Sequence, residues 1–226
     1  MPLLSSPPTR FMNQINRHIE RTIGPSPMVF HEIIAPDIHL DLHIVPPHRK
    51  HNFYTIITSG MSTRAMNPPP DADPDAARFA ELMAVLPADW PGLRPDGTFV
   101  QEGLEDEANW WPIRWLKMIA RMPYEYDSYI GAGQMIPNGQ RAERYAANTE
   151  FGGMLLMPSA LHPRSQRLVV HDDRSIEFLA LWPLYPEEME LQRTWGTEAL
   201  RTALAQAGVT ELVDIRRRNV GREGRQ

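Results

Sequence analysis

The stretch NWWPIRWLKMIARM, residues 109–122, decides how the rest of the chain is read. Trp111, Trp115, Met118, Ile119 and Met122 recur at i, i+4, i+7, i+8 and i+11, a spacing that lays one apolar stripe along an α-helix. Arg114, Lys117 and Arg121 form its polar stripe. Asn109 is placed to cap the helix, and Pro112 falls in the first turn, where a missing N–H is tolerated. Glu105, Asp106 and Glu107 sit at the N-terminal end, where the helix dipole favours negative charge. Pro123 disfavours α geometry at Met122, so the pattern predicts that the helix stops there.

On either side of this helix the period changes to two. In IHLDLHIV (38–45), Ile38, Leu40, Leu42 and Ile44 share one strand face, and His39, Asp41, His43 and Val45 share the other. MVFHEII (28–34) and NFYTIITSG (52–60) flank it, and the short connections predict an antiparallel meander. RFAELMAVLP (78–87) reads as a fourth strand, cut off by Pro87. Beyond the helix, 151–158, 166–170 and 175–184 read as strands. Helices are expected at both ends of the chain. The first is capped by Thr9, carries Phe11, Ile15 and Ile19, and stops at Gly24. Two more open at Pro186 and Thr197, the last closed by Gly208. Residues 60–77 and 91–107 read as loops, and 138–150 as a polar loop. The order predicts an α+β fold: mixed antiparallel sheets with packed helices, in two closely associated α/β lobes. The expected organisation is a flexible lead over 1–8, a folded domain over 9–215 and a basic tail over 216–226 with little to bury.

Composition narrows the function classes. The chain has 226 residues and no cysteine, which excludes disulfides, thiol nucleophiles and Cys-ligated metal centres. No apolar run reaches the length of a membrane span, and no signal peptide is read at the N-terminus. The expected location is cytoplasmic. Arg outnumbers Lys 21 to 2 beside a high Pro content, which reads as compositional bias rather than a need for anion recognition. Between Asp71 and Glu107 ten acids face two Arg, whereas 216–226 holds five Arg and one Glu. The acidic body argues against nucleic acid as a partner, and an acidic segment suits a basic one.

The catalytic motifs fail one by one. His31-Glu32 lacks the second His of a metalloprotease helix, and 131–136 lacks the third Gly of a dinucleotide loop. Asp71-x-Asp73-x-Asp75 lacks the Gly and Glu of a calcium loop. His39-x-Asp41-x-His43 is the most chemical constellation, because period two puts two imidazoles and a carboxylate on one face. It carries the alternative reading, a metal-dependent hydrolase. A polar sheet face produces the same pattern. Trp90 and Trp110 are candidate exposed anchors. No cofactor is expected.

Several segments together resemble the suppressor of fused domain family, bacterial branch. They are HLDLHIVPP (39–47), YTIITSGMS (54–62), FAELMAVLPADW (79–90), WWPIRWLKMIARMPYEYDSYIGAGQMIPNG (110–139), FGGMLLMP (151–158), FLALWPLYPEEMEL (178–191), WGTEALRTAL (195–204) and VDIRRRNV (213–220). The resemblance implies a protein-binding domain and not an enzyme. In the animal relative a peptide is clamped between two α/β lobes as an added strand. This chain is similar to one such domain without the extra C-terminal region, so no binding residue is carried over. The bacterial branch implies an immunity or regulatory protein that binds and neutralises a protein or peptide partner, such as a toxin. The expected contact surface is the 60–77 loop, with Met61, Met66, Asp71 and Asp73.

Overall fold

The computed structural model describes residues 9–32, 38–73, 77–100, 103, 105–171 and 174–222. The elements are α1 (Thr9–Thr22), β1 (Met28–Phe30), β2 (Asp41–Val45), β3 (Phe53–Ser59), β4 (Ala80–Pro87) and α2 (Glu107–Glu125). They continue with β5 (Met135–Pro137), β6 (Gly153–Pro158), β7 (Arg167–His171), β8 (Arg174–Leu184), α3 (Pro186–Trp195) and α4 (Thr197–Gln206). The side chains of Thr9 and Phe11, expected to cap and anchor α1, lie outside the described residues. So do Asp75 and Glu102 of the acidic segment and residues 33–34 of the expected first strand.

The eight strands among the described residues form one sheet in the order β1-β2-β3-β4-β8-β6-β5, with β7 also paired to β8. β1 to β4 are the antiparallel meander that the short connections predict. β5, β6 and β7 run antiparallel to their neighbours in a second group around β8. The two antiparallel halves meet where β4 and β8 pair in parallel, Ala80 opposite Glu177 through Met83 opposite Ala180. The fold is α+β, as expected.

The alternation of β2 becomes a three-layer packing. Leu42 and Ile44, with Tyr54, Ile56, Leu82, Ala84 and Leu86, face α2 through Trp111, Leu116, Ile119 and Tyr124. Val45, Ile57, Met83, Phe178 and Ala180 point to the other face, where Ile15 and Ile19 of α1, Ile23 just after it, Met189 of α3 and Leu200 and Leu204 of α4 cover them. Each fully buried side chain of this kind contributes roughly 1.5–3 kcal/mol.

The central helix departs from its reading at both ends. Asp106, not Asn109, is the N-cap, accepting from the Ala108 N–H at 2.9 Å. Pro123 does not stop the helix. Pro123 and Tyr124 are buried against the core, the single Tyr124 hydroxyl proton is shared between the Met61 and Arg64 carbonyls, and the helix runs to Glu125. Packing outweighs the loss of one intrahelical bond in the last turn. Strand β5 was not expected: its three residues, just ahead of the polar loop at 138–150, are too few to show a period.

Three fully buried glutamates fix connections. Glu81 on β4 accepts from the Thr58 hydroxyl, the Gly60 and Ser62 N–H groups and the Ser62 hydroxyl. Gly60 has φ 112°, and a Cβ there would lie 2.1 Å from the His39 carbonyl oxygen, so the turn into the short 3-10 helix Met61–Thr63 requires glycine. Glu211 holds the 159–161 turn through the Ser159 hydroxyl and the Ala160 and Leu161 N–H groups. Glu188 accepts from Tyr185 N–H, Val220 N–H and the Arg217 guanidinium. The segment after Arg216 therefore has more to bury than its composition indicates: Val220 enters the core and Arg217 stacks on the Phe151 and Tyr185 rings.

Candidate functional site

The outward face of α2 carries an open groove of about 480 Å3. Its apolar floor comes from Trp110, Trp115, Met118, Met122, Tyr126 and Ile136, the last from the edge strand β5. Met118 was expected in the buried stripe of the helix. It is instead 44% exposed, while Trp111 and Ile119 are fully buried, and Tyr126 just past the helix is 70% exposed. Large apolar side chains held open to water next to one another are a mark of recognition surfaces.

Cations line the same groove, each tied to a neighbour. Arg114 pairs with Glu107, and its guanidinium lies 5.8 Å from the Trp115 ring centre. Lys117 reaches Glu32 at 2.9 Å, and Arg121 pairs with the same carboxylate. Glu32 lies just past β1, so this segment is clipped to the helix beside the groove. Trp90 is buried and donates from its indole N–H to the Asn109 carbonyl at 3.0 Å, so of the two expected anchors only Trp110 reaches the surface groove.

The described part of the 60–77 loop meets the C-terminal end of α2. Asn67 N–H donates to Ser128 C=O at 2.9 Å just beyond α2, and Tyr124 donates to the Met61 carbonyl. The loop residues divide sharply. Met61 and Met66 are packed in the core with Tyr124, held there by the Glu81 cage and by Met66 N–H on Arg78 C=O. Asp71 and Asp73 are exposed. The four residues expected to act together thus sit in two environments.

The His39-x-Asp41-x-His43 constellation also divides. His31 and His39 both approach Asp41, at 3.0 and 3.3 Å. His43 is buried and pairs with the Ser59 hydroxyl at 2.9 Å, and burial pulls its pKa down to about 4. His39 lies ahead of β2 but stays on the Asp41 side, with Ile38 and Leu40 in the core beside Leu42, so the alternation runs on past the strand's first residue. Among the described residues no group of three or more His, Asp or Glu side chains is arranged to hold a metal ion. No helix among them is long and apolar enough to cross a membrane.

Sequence reading missed the α2 face because Met118 satisfies the helical stripe by spacing alone. It also missed Trp195, 75% exposed at the end of α3. The one available signal was Arg114, Lys117 and Arg121 interleaved with Trp and Met.

A profile of the suppressor of fused protein family matches residues 36–218. No curated protein matches the sequence significantly. Among solved structures, the fold is similar to a protein described as a suppressor of fused homolog from Neisseria gonorrhoeae FA 1090, with TM-score 0.65 and 15% identity, covering 94% of this chain and 98% of that one. It is also similar to Sufu in the Sufu–Fu complex, with TM-score 0.63 and 14% identity over 96% and 94% of the two chains. Drosophila Suppressor of Fused gives TM-score 0.60 and 13% identity over 94% of this chain, which spans 50% of that protein.

Proposed function

The chain belongs to the suppressor of fused protein family, and we propose from that membership that it is a non-enzymatic domain that binds a protein partner through the α2 face. The observation that carries the reading is the groove itself, in which Met118 and Tyr126 stand open to solvent beside Trp110 and Met122. Aromatic and methionine side chains supply most of the energy of protein interfaces when a partner dries them. The Sufu structure solved as a complex with Fu supports a protein ligand for this fold. Asp71 and Asp73, exposed on a loop that meets the end of the same helix, supply rim charge that speeds encounter with a basic partner. In the finer form of the reading, binding neutralises the partner, as an immunity protein neutralises a toxin. The lack of cysteine suits a reducing compartment, and the reading is cytoplasmic.

The test is capture from the cell that makes the protein, with the intact chain immobilised. The captured partner is then purified, and amide exchange is compared with and without it. Protection concentrated over residues 110–126 supports the reading. Protection elsewhere, with this face unchanged, removes the α2 face as the contact. Turnover of a small molecule by the pure chain removes the non-enzymatic reading.

A further inference from the structure

Four of the chain's eight histidines gather where α1 meets the sheet: His18, His48, His51 and His162. His48 and His51 face each other across a bridge between β2 and β3, with ring centres 4.5 Å apart. His162 lies 5.0 Å beyond His51, and Phe53 contacts both rings. One of the four fastens α1 directly, and a second holds the residue that follows it. His18 Nε2 bonds the Ser165 carbonyl at 2.9 Å, and His51 Nε2 bonds the Ile23 carbonyl at 3.2 Å. His162 bonds the Thr55 hydroxyl at 2.8 Å, and its carbonyl accepts from Ser165 N–H and hydroxyl, so one turn links the helix to the sheet.

The hydrogen bonds fix where each proton sits. A carbonyl only accepts, so His18 donates from Nε2, and its Nδ1 is left buried with no partner. His48 Nδ1 accepts from the Lys50 N–H at 3.2 Å, and its Nε2 is buried without a partner against Gly24. A second proton on His18 would point at nothing. On His48 it would point at another donor. The charged neighbours offer no relief: Arg21 acts on His18 from α1, Lys50 acts on His51 from the hairpin, and the imidazoles act on one another. Glu211, at the base of the His162 turn, is committed to Ser159, Ala160 and Leu161.

We propose that His18, His51 and His162 are a latch, which holds α1 on the sheet while they are neutral and releases it when they are protonated together. Release uncovers the apolar face formed by Val45, Ile57, Met83 and Phe178, against which Ile15, Ile19 and Ile23 pack. Burial lowers the pKa of His18 and His51, and it takes that of His162 to about 4. The undocked helix and its receptor therefore bind protons more readily than the docked pair, and acid favours release.

The test is a titration of the whole chain carrying 13C-labelled isoleucine methyl groups, from about pH 7.5 to about pH 4. The latch predicts that the Ile15, Ile19 and Ile23 signals move together to exposed positions, with uptake of more than one proton. Ile56 and Ile119, on the other face, keep their native shifts. Gln at position 18 or 51 keeps a donor and cannot titrate, so His18→Gln or His51→Gln should move the midpoint down by roughly one pH unit. Docked α1 signals at the acid end, or loss of all isoleucine signals in one step, overturn the proposal. So does a glutamine variant that folds and releases at the wild-type pH.

Discussion

Arg217 closes on Glu188 at 2.6 Å with side chains 7% and 0% exposed, which makes a buried ion pair out of a residue in the basic C-terminal stretch. The guanidinium also donates to the Pro183 and Arg218 carbonyls, and the carboxylate caps α3. Removing one member leaves the other charged and dry. Arg217→Ala should therefore destabilise the fold by about 3–5 kcal/mol. Urea unfolding followed by tryptophan fluorescence checks this; a loss below about 1 kcal/mol would mean that Glu188 finds solvent.

The Gly60 turn gives a second prediction. Gly60→Ala meets both a positive φ and a carbonyl at 2.1 Å from the new Cβ. The turn must shift, and with it the donors on Glu81. A loss of at least about 1–3 kcal/mol is expected, measured by thermal unfolding. Gly139→Ala, also at positive φ but with nothing within 4 Å, serves as the control and should lose less.

Buried histidines give stability an acid limb, and His43 and His162 are the most strongly shifted. His43 and His162 are held down to about 4 by burial, against an ordinary 6.5. Between these values the unfolded chain binds the protons that the folded chain refuses, so stability is full above about pH 6.5 and falls as the pH drops towards 4. Each histidine adds a slope of up to about 1.4 kcal/mol per pH unit. His43→Gln should flatten the profile of urea midpoint against pH, by one proton. An unchanged slope would show that His43 is not among the groups titrating.

The two methionine environments separate by mutation. Met61→Ala cuts a fully buried side chain from the core and should cost about 2–5 kcal/mol. Met118→Asp changes a half-exposed side chain on the groove and should leave stability within about 0.5 kcal/mol. Equal losses would mean that the groove is part of the core.

If a basic partner meets the proposed surface, the charge at the loop is expected to act on rate. Asp71→Asn with Asp73→Asn should slow association with a basic partner, more at low salt than at high, while dissociation stays the same. Stopped-flow mixing at two salt concentrations reads this directly.

Much of the fold could be read from period alone. The alternation of Leu42, His43 and Ile44 located β2 and its two faces, because a strand between two layers sorts its side chains strictly. The reading failed where tertiary contacts outweigh local preference. Pro123 stays helical because Tyr124 is anchored, and Met61 and Met66 look like loop residues until the Glu81 cage folds the loop inward. Arg217 reads as a tail cation because its partner, Glu188, is 29 residues away. The α2 face was hidden by the same logic in reverse. Met118 has the spacing of a core residue, and only the layer packed against Trp111 and Ile119 decides which side of the stripe is dry.

Calorimetric titration of the purified partner into the wild-type chain and into Met118→Asp tests binding at the α2 face most directly. One-to-one binding by the wild type and a loss of at least about tenfold in affinity for the folded variant are expected. Equal affinity for the two chains would contradict binding at that face.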